Sequence, residues 1–107
     1  MAMAHLVELS DRASGDIRGI YQYIAQHGPA NPNSWMAGLD SVLDLLRVFP
    51  ERCGLAPESR HARCEVRQTF YTGFRILFTI REDVVVVLHV RHGARRFMSR
   101  KETRELG

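Results

Sequence analysis

The sequence predicts an α+β fold of order β-α-α-β-β-β. An N-terminal helical hairpin packs on a mostly antiparallel four-stranded sheet. Three observations carry this. Apolar residues recur at helical spacing from Ile17 to Phe49. A polar stretch at 51–62, holding Gly54 and Pro57, interrupts them. Beyond Cys64 the apolar period changes from 3.6 to 2. With 107 residues, the chain is predicted to form one domain over 1–107.

His5 to Leu9 alternates weakly and reads as a short first strand. Ser10 or Asp11 then caps a helix, because a side-chain oxygen satisfies the open amides of a first turn. Ile17, Ile20, Tyr21 and Ile24 give that helix one apolar stripe. His27-Gly28-Pro29 ends it, with Gly28 expected in the left-handed conformation. Asn31-Pro32 starts a second helix, Asn as cap and Pro at the first position. Trp35, Leu39, Val42, Leu46 and Phe49 form its stripe, and Pro50 closes it. Leu39, Val42 and Leu46 are placed against the sheet, and Trp35 is read as a core or helix-interface anchor.

Cys64 to Tyr71 reads as the second strand, with a turn at Thr72-Gly73. Phe74, Ile76, Phe78 and Ile80 alternate with Arg75, Leu77, Thr79 and Arg81 in the third. Val84 to Val90 is nearly all apolar, as a central strand covered on both faces requires. If Glu82-Asp83 is a two-residue hairpin loop, Arg81 pairs with Val84, Leu77 with Leu88 and Arg75 with Val90. His92 then shares a face with Arg75, and Arg67 joins them if the register of its strand allows.

Charge divides the chain. Residues 1–51 carry three Arg against six acidic residues, whereas 52–107 carry eleven Arg and one Lys against six. Arginine's planar fork suits phosphate and carboxylate. A basic half made of arginine fits either a solvated face or a surface for nucleic acid or an acidic protein. No apolar run approaches the roughly 18 residues of a membrane helix. The N-terminus lacks a basic region followed by an apolar stretch, so a cytoplasmic protein with reduced Cys53 and Cys64 is expected. Zinc requires about four ligands at suitable spacing, which Cys53, Cys64 and His61 do not supply. No metal and no cofactor is expected.

The candidate functional residues are Arg67, Arg75, His92 and Arg95, followed by Arg91, Arg96, Arg100, Lys101 and Arg104. A neutral histidine beside arginines has the makings of a ribonuclease. The imidazole takes a 2′-hydroxyl proton and arginine stabilises the charged phosphorane. The same residues equally bind phosphates or an acidic peptide without chemistry. His89 is read as a satisfied strand histidine, and His5, His27 and His61 are assigned no specific role.

The segment Arg75 to Ile80, the acidic turn Glu82-Asp83, and Val87 to Arg95 resemble the C-terminal half of the RelE/ParE toxin superfamily. Ile20 to Ala25, Leu46 to Pro50, Pro50 to Glu58 and Glu65 to Gln68 extend the resemblance over nearly the whole chain. It implies a toxin of a type II toxin–antitoxin system, neutralised by a cognate antitoxin that wraps an otherwise disordered segment over it. An acidic, partly helical antitoxin tail would lie in a groove of the helical hairpin. A homodimer or a hetero-oligomer with the antitoxin is left open, and no membrane partner is implied. RelE-like members cleave messenger RNA in the ribosome; ParE-like members poison DNA gyrase. Arg67, Arg75 and Arg95 occupy positions comparable to the RelE basic residues. The C-terminal Tyr of that pattern is missing, with Phe97, Met98 and Lys101 in its region, and the His-Gly-Ala-Arg ending is ParE-like. The resemblance therefore implies gyrase binding through Arg91, Arg95, Arg96, Arg100, Lys101 and Arg104. The alternatives are a ribosome-dependent endoribonuclease using Arg67, Arg75, His92 and Arg95, and a non-toxic binding module of the same fold.

Overall fold

A computed structural model describes residues 4–28, 30–94 and 97–106. The chain runs β1 (Leu6–Leu9), α1 (Asp11–His27), α2 (Pro32–Val48), β2 (Arg67–Tyr71), β3 (Phe74–Arg81), β4 (Val84–His92) and α3 (Arg100–Arg104). Two 3-10 turns, Pro50–Arg52 and Pro57–His61, lie between α2 and β2. The sheet order is β1-β4-β3-β2, with β1 parallel to β4 and the other pairs antiparallel. The predicted architecture is the one observed. The Pro57–His61 turn and α3 were not predicted, and β2 starts three residues later than expected, at Arg67.

Both helix starts follow from their caps. The Ser10 hydroxyl accepts from the Ala13 amide at 3.1 Å, and Asn31 Oδ1 accepts from the Asn33 amide at 2.8 Å. The end of α1 corrects one expectation. Gly28 is extended at φ −89°, not left-handed, and its amide donates to the Ile24 carbonyl. Pro29 lies outside the described residues.

The helices cover one face of the sheet. Ala13, Ile17, Trp35, Leu39 and Leu46 pack on Ile76, Phe78, Val85, Val87 and Val90, with Ile20, Ile24 and Val42 partly buried around them. Phe49 departs from its predicted stripe. It caps the end of α2, is 48% exposed, and lies under the Arg52 guanidinium at 4.2 Å. Close packing of α2 on β2 requires glycine at one point. Tyr71 donates its hydroxyl to the Trp35 carbonyl at 2.7 Å, and a Cβ on Gly38 would stand 2.0 Å from the Tyr71 hydroxyl oxygen.

The other face carries a smaller cluster of Ala56, Val66, Leu77, Leu88 and Met98, with Leu106 partly buried against it. Its cover is the 50s segment and the C-terminus. Strand β4 is thus buried on both faces, as its composition predicted.

The expected β3–β4 register holds only near the turn. Arg81 faces Val84, but a β-bulge between Leu77 and Phe78 shifts the remaining pairs. Leu77 then faces His89, Ile76 faces Val90, Arg75 faces Arg91 and Phe74 faces His92. The expectations that Arg75 pairs with Val90 and Leu77 with Leu88 are corrected. One extra residue in β4 moves His92 off the Arg75 face, because side chains alternate with period 2.

Candidate functional site

The bulge and the edges of the sheet decide where each candidate residue lies. Arg67 pairs with Phe78, so it belongs to the helix-covered face. Its Nη1 donates to the carbonyls of Cys53 at 2.6 Å and Glu51 at 3.3 Å, tying the 50s segment to β2. Arg75 lies on the opposite face and is 2% exposed. The structure therefore does not bring Arg67 and Arg75 together.

Arg75 is held by a carboxylate that sequence reasoning missed. Glu58, 1% exposed, receives Nη1 at 2.9 Å and Nη2 at 2.6 Å in a two-pronged pair. Gln68 Oε1 accepts from Nε at 3.1 Å and Nη2 at 3.0 Å. The ring of Phe97 lies 5.0 Å from the guanidinium carbon. Burial alone would push the Glu58 carboxyl up; the hydrogen bonds from Arg75 and from the Met98 amide outweigh it and hold the group below the usual carboxylate range. A signal was present in the sequence. An arginine alternating with apolar residues inside a central strand needs a buried counter-charge. Nothing local to Pro57-Glu58 identified which acid it would be.

His92 stands opposite Phe74, ring against ring at 5.4 Å. Its Nδ1 accepts from the Ala94 amide at 3.1 Å. Arg91 is buried at 5% exposure. Arg95 and Arg96 lie outside the described residues.

A second buried titratable group sits where β1 ends. The edge of β4 beyond Val87 is covered by the start of α1. Ser10 Oγ donates to the Leu88 carbonyl at 3.0 Å, and Asp16 Oδ2 accepts from the Val90 amide at 3.0 Å. Asp16 also meets His89 Nδ1 at 2.5 Å. Burial lowers the His89 pKa more than the Asp16 carboxylate raises it, and Arg12 and Arg91 lower it further. His89 is a buried strand histidine as expected, but only half satisfied: Asp16, the partner the sequence did not reveal, meets Nδ1, while the buried Nε2 has no hydrogen-bond partner among the described residues. Asp16 also lines a groove formed by Gly15, Gly19, Ile20, Tyr23 and Phe74. A second, mostly apolar groove between the helices is lined by Leu9, Ile17, Tyr21 and Met36.

The remaining candidates form an exposed surface. Ser99 and Glu102 cap α3 reciprocally, and Thr103 is buried beneath it. Arg100, Lys101 and Arg104 consequently point to solvent. Phe97, 61% exposed, has its ring over the Arg75 guanidinium, and Phe70, 62% exposed, is the residue paired with Arg75 across β2 and β3. Three cations thus project from one short helix that also carries Glu102 and ends on the exposed Glu105, with Phe97 just before it. The two cysteines pack on opposite faces of the sheet, Cys53 with the helices and Cys64 with the second cluster. Burial raises the Cys53 thiol pKa. Among the described residues no three His, Cys, Asp or Glu side chains gather as metal ligands, and no helix is long and apolar enough to cross a membrane.

The fold recurs in solved structures. The chain is similar to one in the chromosomal ParDE toxin–antitoxin system from P. aeruginosa, at 15% identity and a TM-score of 0.64, covering 85% of this chain and 98% of that one. It is also similar to one in the RelBE2 toxin–antitoxin complex from Mycobacterium tuberculosis, at 20% identity and a TM-score of 0.59, covering 89% and 98%. At these identities the likeness concerns the fold alone. Comparison with curated protein sequences gives no significant match. The family described as "ParE toxin of type II toxin-antitoxin system, parDE" matches residues 7–97, from the first strand past the end of the last. With that match spanning most of a chain whose helical hairpin, mixed sheet and basic C-terminus are now in place, the protein belongs to the ParE toxin family of type II toxin–antitoxin systems.

Proposed function

We propose that this toxin acts in the cytoplasm by binding DNA gyrase, and that a cognate antitoxin neutralises it. One observation supports binding over RNA cleavage. Arg67 and Arg75 lie on opposite faces, each engaged by acceptors of its own chain. His92 stands apart from both arginines, its ring against Phe74 and its Nδ1 accepting from the Ala94 amide. The exposed cations Arg100, Lys101 and Arg104 are instead gathered on one short helix beside Phe97. Such a surface steers and grips an acidic partner through several distributed contacts. The apolar groove between α1 and α2 gives the antitoxin a seat for an amphipathic helix, away from α3.

The test is induction of the toxin alone, with plasmid supercoiling and messenger RNA integrity read in the same cells. Loss of negative supercoiling with intact messages is expected, and co-expressed antitoxin should restore growth. Neutralising the surface with Arg100→Ser, Lys101→Ser and Arg104→Ser should remove toxicity and leave antitoxin binding intact. Cleaved messages with unchanged supercoiling would make the ribonuclease the correct reading.

A further inference from the structure

The C-terminal segment hangs on one buried carboxylate. Glu58 Oε2 accepts from Arg75 Nη1 and also from the backbone amide of Met98, at 3.1 Å. The neighbouring Phe97 lies over the same arginine. Consecutive residues thus fasten to the two halves of one ion pair, an aromatic ring on the cation and an amide on the anion. The cap Ser99 and α3 follow directly.

Among the described residues the segment's other anchors are small, with Thr103 buried beneath α3. Helix α3 spans only Arg100–Arg104, far too short to persist by itself. Its apolar anchorage is Met98, with Leu106 partly buried. Glu58 in turn comes from the Pro57–His61 turn, and Ser59 of that turn accepts the Val66 amide at 2.9 Å. The ion pair therefore joins three chain segments that have no shared strand or helix: the 50s turn, β3 and the C-terminus.

We infer that Glu58 is a positioning residue for the target-binding surface: its pair with Arg75 latches residues 97–106 to the sheet and so fixes where Arg100, Lys101 and Arg104 project. Glu58 itself is buried and does not line the groove between α1 and α2. A change there disarms the toxin from inside. The inference rests on the proposed reading that these cations meet the target, and the experiment separates the two.

The comparison is between wild-type full-length protein and Glu58→Gln, which keeps the shape and removes the counter-charge of a buried arginine. Amide hydrogen exchange in 97–106 should rise at least about tenfold, with trypsin cleavage after Arg100 and Lys101 accelerating alongside. Exchange in β3 and β4 should stay at its wild-type level. Antitoxin affinity should hold while inhibition of supercoiling is lost. Unchanged exchange in 97–106 overturns the latch. A released segment with full inhibition of supercoiling shows instead that the segment is not the target surface, and overturns the positioning role while leaving the latch. If Glu58→Gln loosens the whole sheet, the charge-free pair Glu58→Gln/Arg75→Gln decides. A restored sheet with 97–106 still exchanging fast supports the inference; recovery of both together overturns it.

Discussion

The two faces of the sheet are closed by different means. On one, α1 and α2 lay regular apolar stripes over Ile76, Phe78, Val85 and Val87, all of them fully buried. On the other, a 3-10 turn and a five-residue helix cover a smaller cluster, fastened by the Glu58–Arg75 pair. The first closure is distributed over many dispersion contacts and apolar burial, and no single group decides it. The second concentrates on a few polar atoms, where the loss of one partner leaves a buried charge uncompensated. A face of the first kind supports the fold. A face of the second kind can hold a functional segment in place while remaining separable from the fold.

The largest expected effect tests the helix-covered face. Leu39, 1% exposed, fills the centre of that layer. Leu39→Ala should cost about 2–5 kcal/mol. Because this layer supports the whole molecule, denaturant unfolding should shift as one transition, with helical and near-aromatic signals lost together. A cost below about 0.5 kcal/mol, or separate transitions, would contradict the assignment of this face as the fold's foundation.

A smaller loss should come from adding one carbon to the same face. Gly38→Ala drives a methyl into the Tyr71 hydroxyl, which is already fixed to the Trp35 carbonyl. Overpacking of this kind costs about 1–3 kcal/mol. Helix propensity acts in the opposite sense, since alanine is favoured over glycine there by about 1 kcal/mol. Net destabilisation by thermal unfolding would show that contact with β2 governs the position. Net stabilisation would show that α2 rides more loosely on the sheet than this packing implies. The companion change Gly38→Ala/Tyr71→Phe should relieve part of the clash.

The same contrast explains what could be read from sequence. The helix-covered face was legible because periodicity encodes it: Ile17, Leu39 and Leu46 were placed by spacing, and Ser10 and Asn31 by capping chemistry. The bulge was not legible. It inserts one residue into β4 without any glycine to mark it, and the hairpin arithmetic from Glu82-Asp83 therefore failed beyond Phe78. That failure mattered for the site, because it put His92 beside Arg75. The second face was illegible for another reason. Glu58 and Asp16 meet their partners across 17 and 73 residues of chain. Such pairings are fixed by tertiary contact, and a charged residue in a polar stretch looks like any solvated one. The burial of Met98 and Thr103 beneath a cationic helix was hidden likewise, since the arginines around them dominate the pattern.

At the junction between the helices and the strand edge, His89 gives the comparison a pH axis. Its folded-state pKa lies below the ordinary 6.5, with burial the main cause. Above that ordinary value the ring is neutral in both states and its contribution to stability is complete. As the pH falls below it, the unfolded chain takes up a proton that the folded chain resists, and stability declines toward the lower folded-state pKa. Unfolding monitored across this range should show the decline, and His89→Gln should flatten it. A wild-type profile that rises as the pH falls would mean that Asp16 holds the ring charged.

The smallest expected effect is the most decisive for function. His92→Gln should leave toxicity within about twofold of wild type. The ring lies at the surface against Phe74, accepts from Ala94 and contacts neither Arg67 nor Arg75 in any described interaction. A general base contributes about 10²–10⁴ to the rate of its reaction, so removal of a working base could not escape notice. Glutamine keeps an acceptor for the Ala94 amide, which protects the β4 terminus from a merely structural loss. Growth arrest on induction gives the readout, with antitoxin affinity confirming that the variant is folded. Loss of toxicity with affinity preserved would place His92 in the chemistry, return the ribonuclease to first place, and require Arg75 to leave Glu58 before it could meet a phosphate.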